Sequence, residues 1–583
     1  MTITYNLLLE ADFTALEATG ESWRNLYQVL DDQAAILVEL KSKDDAPFGI
    51  DNWDGQSGEA ARERVRDVVL ALDERSAAAR RVSVAIADAA EEFKGAQADL
   101  NDVISEIGSE RVALTDTGSV IPDTSTGTDN IYYAEGIQSR ITAALERATD
   151  ANEVLKAAVG MWAETFSESE RLALAHDAED EAGELQELID SGASPEAINE
   201  WWNNLSETEQ LGILEGNPAL IAGVDGIPTD TRDAANRDLL DTAINRFSPS
   251  LDSDIAELEA QLAEMEANGE QYDYNEGNLG IPHQSAEYAE LATQLAELQE
   301  QRDERDALAN LQEAVSGSAP TGQDHYLLGF DTKDDGGAIV SIGNPDTATN
   351  TGIFVPGTFS ALDNFGGNGG ALERATAMAS DAQDYGVPGE ETAVIAWLDY
   401  DSPQSASPLE AFKGDTWDLS KLAPEAGDGA AAEEGAQTLN HFINGLDATH
   451  EGEPSNTTIA GHSYGGLLVG EAAQDPNTGA DQVIGVAAPG FGVDRASELA
   501  VGEDNVWATM AEGDAIAFPA GESMIHGNDP TGENFGGNVF NSTASGADGG
   551  EIHGGYWDEG NAARKDMALI LTGQSEFIKP PGE

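Results

Sequence analysis

The sequence predicts two architectures in one chain: an all-α N-terminal half with long helical hairpins, then a mostly parallel α/β sheet flanked by helices. Three observations carry this. Apolar residues recur at helical spacing through most of the first half. From about residue 317 Gly, Thr, Val and Ile rise, and short apolar runs alternate with helical ones. Within that alternation, "TTIAGHSYGGLLVGEAA" at 457–473 reads as strand, tight turn and helix in direct succession.

Taken in order, residues 1–113 read as two long helices. Val65, Val68, Val69 and Leu72 start a stripe on the second that Val82, Ile86 and Phe93 continue. Trp53-Asp54-Gly55 stands at the bend, where Gly55 suits a tight reversal and Trp53 can pack across the helix ends. Residues 114–135, opening with "LTDTGSVIPDTSTGTDN", read as a linker. Helical patterns fill 136–316. Ser206 and Glu209 have capping-box spacing, Trp201 and Trp202 read as packing residues, and 251–315 forms a coiled-coil-like antiparallel hairpin.

Residues 317–583 read as one α/β domain. "HYLLGFD" and "GAIVSIGN" make a starting hairpin, and "NTGIFVPGTFS" is a buried strand ending in a Gly turn. A helix follows at 371–385, then the strand "TAVIAWLDYD", the helix "AEEGAQTLNHFINGLDATH", and "NTTIAG" entering the turn at Ser463. "DQVIGVAAPG" and "NVWATMAEGD" are two further strands, and a final helix covers about 560–572. Residues 402–434 are loop-like and read equally as a mobile cover or a plain insertion.

Composition bounds the function. The 583 residues carry 109 Asp+Glu against 28 Lys+Arg, a formal charge of −81. Such a surface repels nucleic acid and anionic lipid heads, so no nucleic-acid partner is expected. It fits either a high-salt (halophilic) setting or an ordinary soluble acidic protein. The chain has no cysteine, which excludes disulfides, thiolate metal sites and a Cys nucleophile. No apolar run approaches the ~18–20 residues a membrane span needs, and no ordinary signal peptide is visible. Carboxylate runs such as "DAEDEAGE" read as solvated surface, so neither metal nor cofactor is expected.

Gly461-His462-Ser463-Tyr464-Gly465 matches Gly-x-Ser-x-Gly in the setting that motif requires, a strand before and a helix after. The turn strains the serine backbone, so Gly461 and Gly465 must leave room. Ser463 is then the expected nucleophile. Eight histidines permit elimination of the base. His176 and His283 lie in the helical part, His325 precedes the sheet, and His441 and His450 belong to one helix. The His462 ring should leave the tight turn in another direction. His553, on a loop before the last helix, has the place of the base, and His526 is assigned to pocket shape. The orienting acid should follow a late strand, which selects Asp514 over Glu512, Asp494, Asp529 and Asp548. The oxyanion needs backbone N–H donors. Tyr464 supplies one, and Thr358 or Phe359 in "VPGTFS" the other.

Two resemblances add to this reading. The first, carried by Trp53-Asp54-Gly55 between two amphipathic helices, resembles the Trp-x-Gly hairpins of type VII secretion substrates. It implies a secretion-system partner acting through residues 1–113, so the expected location is either cytoplasmic or outside the cell by a type VII-like route. The Tyr-x-x-x-Asp/Glu usual after the second helix has no counterpart in "NDVISEIGSE". The second is carried by "FVPGTFS", "AVIAWLDYDSP", "TTIAGHSYGG", "VAAPGFGVD", "AEGDAIAF", "HGNDPTGENFGG" and "EIHGGYWD", with "NPALIAGVDGIPTDTRDAANRDLL" ahead of them. Their succession resembles an actinobacterial α/β-hydrolase family, catalogued largely as a domain of unknown function. It implies the α/β-hydrolase fold and a triad of Ser463, Asp514 and His553. The expected activity is that of a serine hydrolase on small-molecule or lipid esters, esterase- or lipase-like. The alternative is a secretion-linked or envelope-associated binding protein with a secondary or vestigial hydrolase fold.

Overall fold

The computed structural model describes residues 5–11, 22–30, 56–107, 111–115, 118–122, 129–163, 178–273, 283–404, 425–517 and 526–579, with a few isolated positions between them. The Trp53-Asp54-Gly55 bend and most of the 402–434 stretch lie outside the described residues. The chain divides into two compact units, 1–173 and 174–583. The boundaries expected at 113/114 and 135/136 fall inside the first, and that at 316/317 inside the second. No helix among the described residues is long and apolar enough to cross a membrane.

In the first unit α1 (Gln56–Glu106) packs along α2 (Asp129–Ala163). Phe93, Ala96, Leu100 and Val103 meet Ile137, Ile141, Ala144 and Ala148. Of the predicted stripe, Phe93 joins this seam, Val82 and Ile86 pack in a second cluster with Ala158, and Val68 is exposed. The stretch read as a linker contains regular structure. Val112–Leu114 and Val120–Pro122 pair as antiparallel strands, and α2 begins inside it at Asp129. The turn between those strands carries Gly118 at φ +80, with Tyr5 packed against it. Gln138 of α2 accepts the Val120 N–H, tying strand to helix.

The second unit opens with helices α3 (Glu179–Asp190), α4 (Pro195–Asn204) and α5 (Glu207–Gly216), packed around Leu185, Ile198, Trp202 and Ile213. Ser206 and Glu209 form both hydrogen bonds of the capping box. After α6 (Thr229–Asn245), the expected hairpin is α7 (Leu251–Asn268) and α8 (Ala286–Val315), bridged by antiparallel pairing of Tyr272–Asp273 with His283–Gln284.

Eight strands follow: β1 (His325–Asp331), β2 (Gly337–Ile342), β3 (Asn350–Val355), β4 (Thr392–Leu398), β5 (Asn456–His462), β6 (Gln482–Val486), β7 (Val506–Thr509) and β8 (Asn538–Val539). They form one sheet in the order 1-2-4-3-5-6-7-8. The β1–β2 and β2–β4 pairings are antiparallel and all others parallel. Both faces are buried, as near-continuous apolar runs in parallel strands require. Alternate residues serve alternate faces. Phe354, Ala396, Ala460 and Ile484 pack with α8, α9 (Ala371–Tyr385) and α13 (Ala562–Leu571). Ile353, Val355, Ile395, Trp397 and Ile459 pack with α10 (Ala430–Thr449) and α11 (Tyr464–Ala472).

The "GVDGIPTDTRDAANRDLL" segment acquires a structural role. An edge strand presents unpaired backbone groups, and α6 covers those of β1. The Asp233 carboxylate accepts the Leu327 N–H at 2.6 Å, Arg232 donates to the Leu328 carbonyl at 2.8 Å, and Arg237 donates to the His325 carbonyl at 2.7 Å. Arg232 is itself buried and paired with Asp225 at 2.9 Å.

Candidate active site

β5 ends at His462 and α11 begins at Tyr464, so Ser463 alone makes the turn between them. Its φ of 55° lies in the left-handed region, which for a non-glycine residue costs on the order of 1–3 kcal/mol. The fold holds it there by an N–H bond from Ser463 to the Val486 carbonyl at 3.0 Å. Among the described residues, four non-glycines have positive φ, and three of them, Phe359, Ser463 and Ala487, follow the C-terminal ends of β3, β5 and β6. Strain is thus gathered at one edge of the sheet, where ligands meet parallel α/β sheets.

The glycines act by absence. A Cβ on Gly461 would stand 2.2 Å from the Gly465 carbonyl oxygen, and one on Gly465 2.3 Å from that of Val355. At Gly357 it would meet Ser463 Cβ at 2.7 Å and its Oγ at 3.2 Å, so the "VPGTFS" turn lies directly against the serine. As the first residue of α11, Tyr464 has a backbone N–H with no intrahelical acceptor. Phe359 donates its N–H to the Pro403 carbonyl at 3.0 Å and is therefore committed elsewhere. Thr358 N–H has no protein acceptor among the described residues.

His553 lies on α12 (Gly549–Gly554), a short helix where the sequence reads as a loop. "DGGEIHGG" is a poor helix former, but the Asp548 side chain caps it by accepting the N–H groups of Gly550 and Glu551. His553 Nδ1 donates to Asp514 Oδ1 at 2.9 Å. Asp514, 3% exposed, also accepts the Ile516 N–H at 2.8 Å and the Tyr556 hydroxyl at 2.8 Å. Burial alone would raise this carboxyl. The hydrogen bond and charge of His553, with the Ile516 and Tyr556 bonds, outweigh burial and hold it below the ordinary value. It therefore stays ionised and fixes the His553 tautomer, leaving Nε2 as the acceptor. No hydrogen bond joins Ser463 Oγ to His553 among the described residues.

His462, the residue before Ser463, contacts His553. Its ring lies 4.6 Å from the His553 ring and 5.1 Å, edge-on, from Trp557. Its Nε2 donates to the His553 carbonyl at 2.9 Å, and its Nδ1 accepts from Arg374 Nη1 at 2.9 Å. Burial, then the Arg374 charge, hold the His462 pKa well below the ordinary value. Arg374 stacks on Trp557 at 4.8 Å, and burial brings it down to about 10. His526 sits elsewhere, edge-on to the Tyr464 ring at 6.0 Å and donating to the Ala426 carbonyl at 2.9 Å.

Arg374, Tyr556 and Trp557 escaped the sequence reading. Arg374 stands in a helix far upstream with no local motif. Tyr556 and Trp557 follow His553 inside "HGGYW", where aromatic neighbours of a histidine were the available signal. Among the described residues no group of three or more His, Asp or Glu is placed to hold a metal. What the arrangement can do is acyl transfer: a strained serine at a helix N-terminus, N–H groups beside it, and a carboxylate-oriented imidazole in contact with its neighbour.

Residues 331–522 match the family described as alpha/beta hydrolase. That span holds β2 through β7, with Ser463 and Asp514, whereas most of β1, all of β8 and His553 lie beyond it. An uncharacterized protein of Mycobacterium tuberculosis is 25% identical over 421 residues, covering 67% of this chain and 57% of that protein. The chain thus spans little more than half the length of this relative. Uncharacterized proteins of Mycobacterium bovis and M. tuberculosis are 28% identical over 197 residues, 33% of this chain and 67% of theirs. No solved structure matches. The alpha/beta hydrolase match and the mycobacterial relatives agree with the mostly parallel sheet and its flanking helices, and they support a hydrolase-type fold.

Proposed function

We propose that the chain is a serine hydrolase acting on carboxylic esters of small molecules or lipids. The observation that carries the reading is the 2.9 Å His553–Asp514 bond, seated through His462 against the strained turn of Ser463. Ser463 Oγ attacks the ester carbonyl while His553 Nε2 takes its proton. The carbonyl oxygen becomes an oxyanion that the N–H groups of Tyr464 and Thr358 stabilise. His553 returns the proton to the departing alcohol, leaving an acyl-Ser463. Water then attacks that ester with His553 again accepting the proton, and the carboxylic acid leaves. Asp514 stays ionised throughout and stabilises the imidazolium. This chemistry draws no step from a metal or cofactor.

The acidic surface favours neutral or cationic esters over anionic ones, because a formal charge of −81 disfavours approach of an anion. A fluorophosphonate probe should label the wild-type protein and spare Ser463→Ala. Equal labelling of both sinks the reading. An ester panel of graded acyl length, with Ser463→Ala as the control, then defines the acyl preference.

A further inference from the structure

We propose that Arg374 and His462 are positioning residues for His553, an inference that rests on the serine-hydrolase reading. The geometry sets the direction of every bond in the chain. A guanidinium only donates, so His462 Nδ1 must be the acceptor and carries no proton. The imidazole is therefore neutral with its proton on Nε2, and that proton is given to the His553 carbonyl. Arg374 thus selects the one tautomer of His462 that can hold the His553 backbone.

His553 needs such a hold. It sits in the last turn of a six-residue helix that itself contains Gly549, Gly550 and Gly554 and is followed by Gly555, a stretch with little stiffness of its own. Asp514 fixes one edge of its ring through Nδ1. His462 fixes its carbonyl and lies 4.6 Å away, ring to ring, so backbone and imidazole are both held. Because His462 directly precedes Ser463, any movement of the elbow carries the His553 support with it. The pair thereby couples nucleophile and base across ninety positions of sequence. Neutrality matters as well. His553 becomes cationic during the reaction, and a second cationic imidazole at this distance would oppose it.

The test uses the full chain with Ser463→Ala, His553→Ala, His462→Phe, His462→Gln and Arg374→Met. His462→Phe keeps a ring and loses both hydrogen bonds. His462→Gln loses the ring and keeps an amide that can donate to His553 and accept from Arg374. On a p-nitrophenyl ester, His462→Phe and Arg374→Met should lower kcat ~10–100-fold, with KM held within ~3-fold, as a displaced base predicts. His462→Gln should recover most of kcat. Wild-type kcat in both His462→Phe and Arg374→Met overturns the proposal while leaving the serine-hydrolase reading standing. A second readout needs no turnover: the low-field Nδ1 proton resonance of His553, assigned by its loss in His553→Ala. It should broaden or vanish in His462→Phe and Arg374→Met. Its unchanged presence in both overturns the positioning role whatever the ester assay gives, and loss of wild-type labelling and turnover would count against the hydrolase reading alone.

Discussion

Gly357→Ala is the sharpest probe of the oxyanion turn, because the added methyl has no direction in which to escape. Its Cβ would stand 2.7 Å from Ser463 Cβ, 2.8 Å from the His462 carbonyl oxygen and 3.2 Å from Ser463 Oγ. An ordinary carbon–carbon contact is ~3.5–4.0 Å, so the "VPGTFS" turn and the elbow must part by ~1 Å. The atoms met first belong to the backbone and Cβ of the elbow, which the Ser463–Val486 bond and the close approach of Gly465 to Val355 already pin. Overpacking of this kind costs ~1–3 kcal/mol of stability, and a ~1 Å displacement between nucleophile and N–H donors costs ~100-fold in rate. Gly367→Ala is the matched control, since its Cβ meets only the Asn364 carbonyl oxygen at 3.5 Å. The assay is the rate of fluorophosphonate labelling beside a thermal melt. Gly357→Ala should remain folded and label ~100-fold more slowly, with Gly367→Ala matching wild type. Labelling of Gly357→Ala at the wild-type rate would refute the placement of this turn against Ser463.

Other expectations follow from the same coordinates. Asp514→Asn should fold and lose ~10³–10⁴-fold in kcat, because an amide no longer enforces the Nδ1–H tautomer of His553; a loss under tenfold in ester turnover would remove Asp514 from the site. Tyr556→Phe takes a hydroxyl from Asp514 Oδ2 and leaves the buried Ala511 N–H without its acceptor, so the melt should fall by ~1–3 kcal/mol and kcat with it. Arg232→Met strands the Asp225 carboxylate and the Leu328 carbonyl at the β1 edge and should cost ~3–5 kcal/mol, measured by thermal unfolding. Burial raises the carboxyls of Asp346, Glu471 and Asp566, so the folded state holds their protons more tightly than the unfolded chain. Their contribution is present at low pH and lost as pH rises from ordinary carboxylate values through the raised ones, the opposite sign to Asp514. Melts in low salt should therefore be higher near pH ~5 than near pH ~8, and NaCl approaching ~1 M should raise the pH ~8 value by screening the charge of −81.

Much of the fold was legible because its signals are local. Buried parallel strands must be continuous apolar runs, helices between them must carry a periodic face, and β1 through β7 and α9 to α13 fall on those patterns, α12 apart. β8 has two residues and no pattern to read. α12 was hidden because glycine content argues for a loop, and only the Asp548 cap makes a helix of it. The strand pair at the start of the supposed linker closes across Gly118 with Tyr5 against the turn, a contact no window of sequence contains.

The sequence by itself determined the elbow. Gly461, Gly465 and the residue between strand and helix follow from steric rules that act over five positions. It also selected Asp514 and His553 by their order, since chain order limits which loops can meet at one sheet edge. Only the tertiary structure decided who stands around them. Phe359 was removed as a donor by a carbonyl at Pro403, and the Thr358 N–H has no protein acceptor among the described residues. His462, expected to point away, turned its ring onto His553 under the pull of Arg374 from a different helix. Those outcomes depend on where side chains from distant segments converge, and hydrogen-bond direction between them is a property of three-dimensional distance that no spacing along the chain encodes.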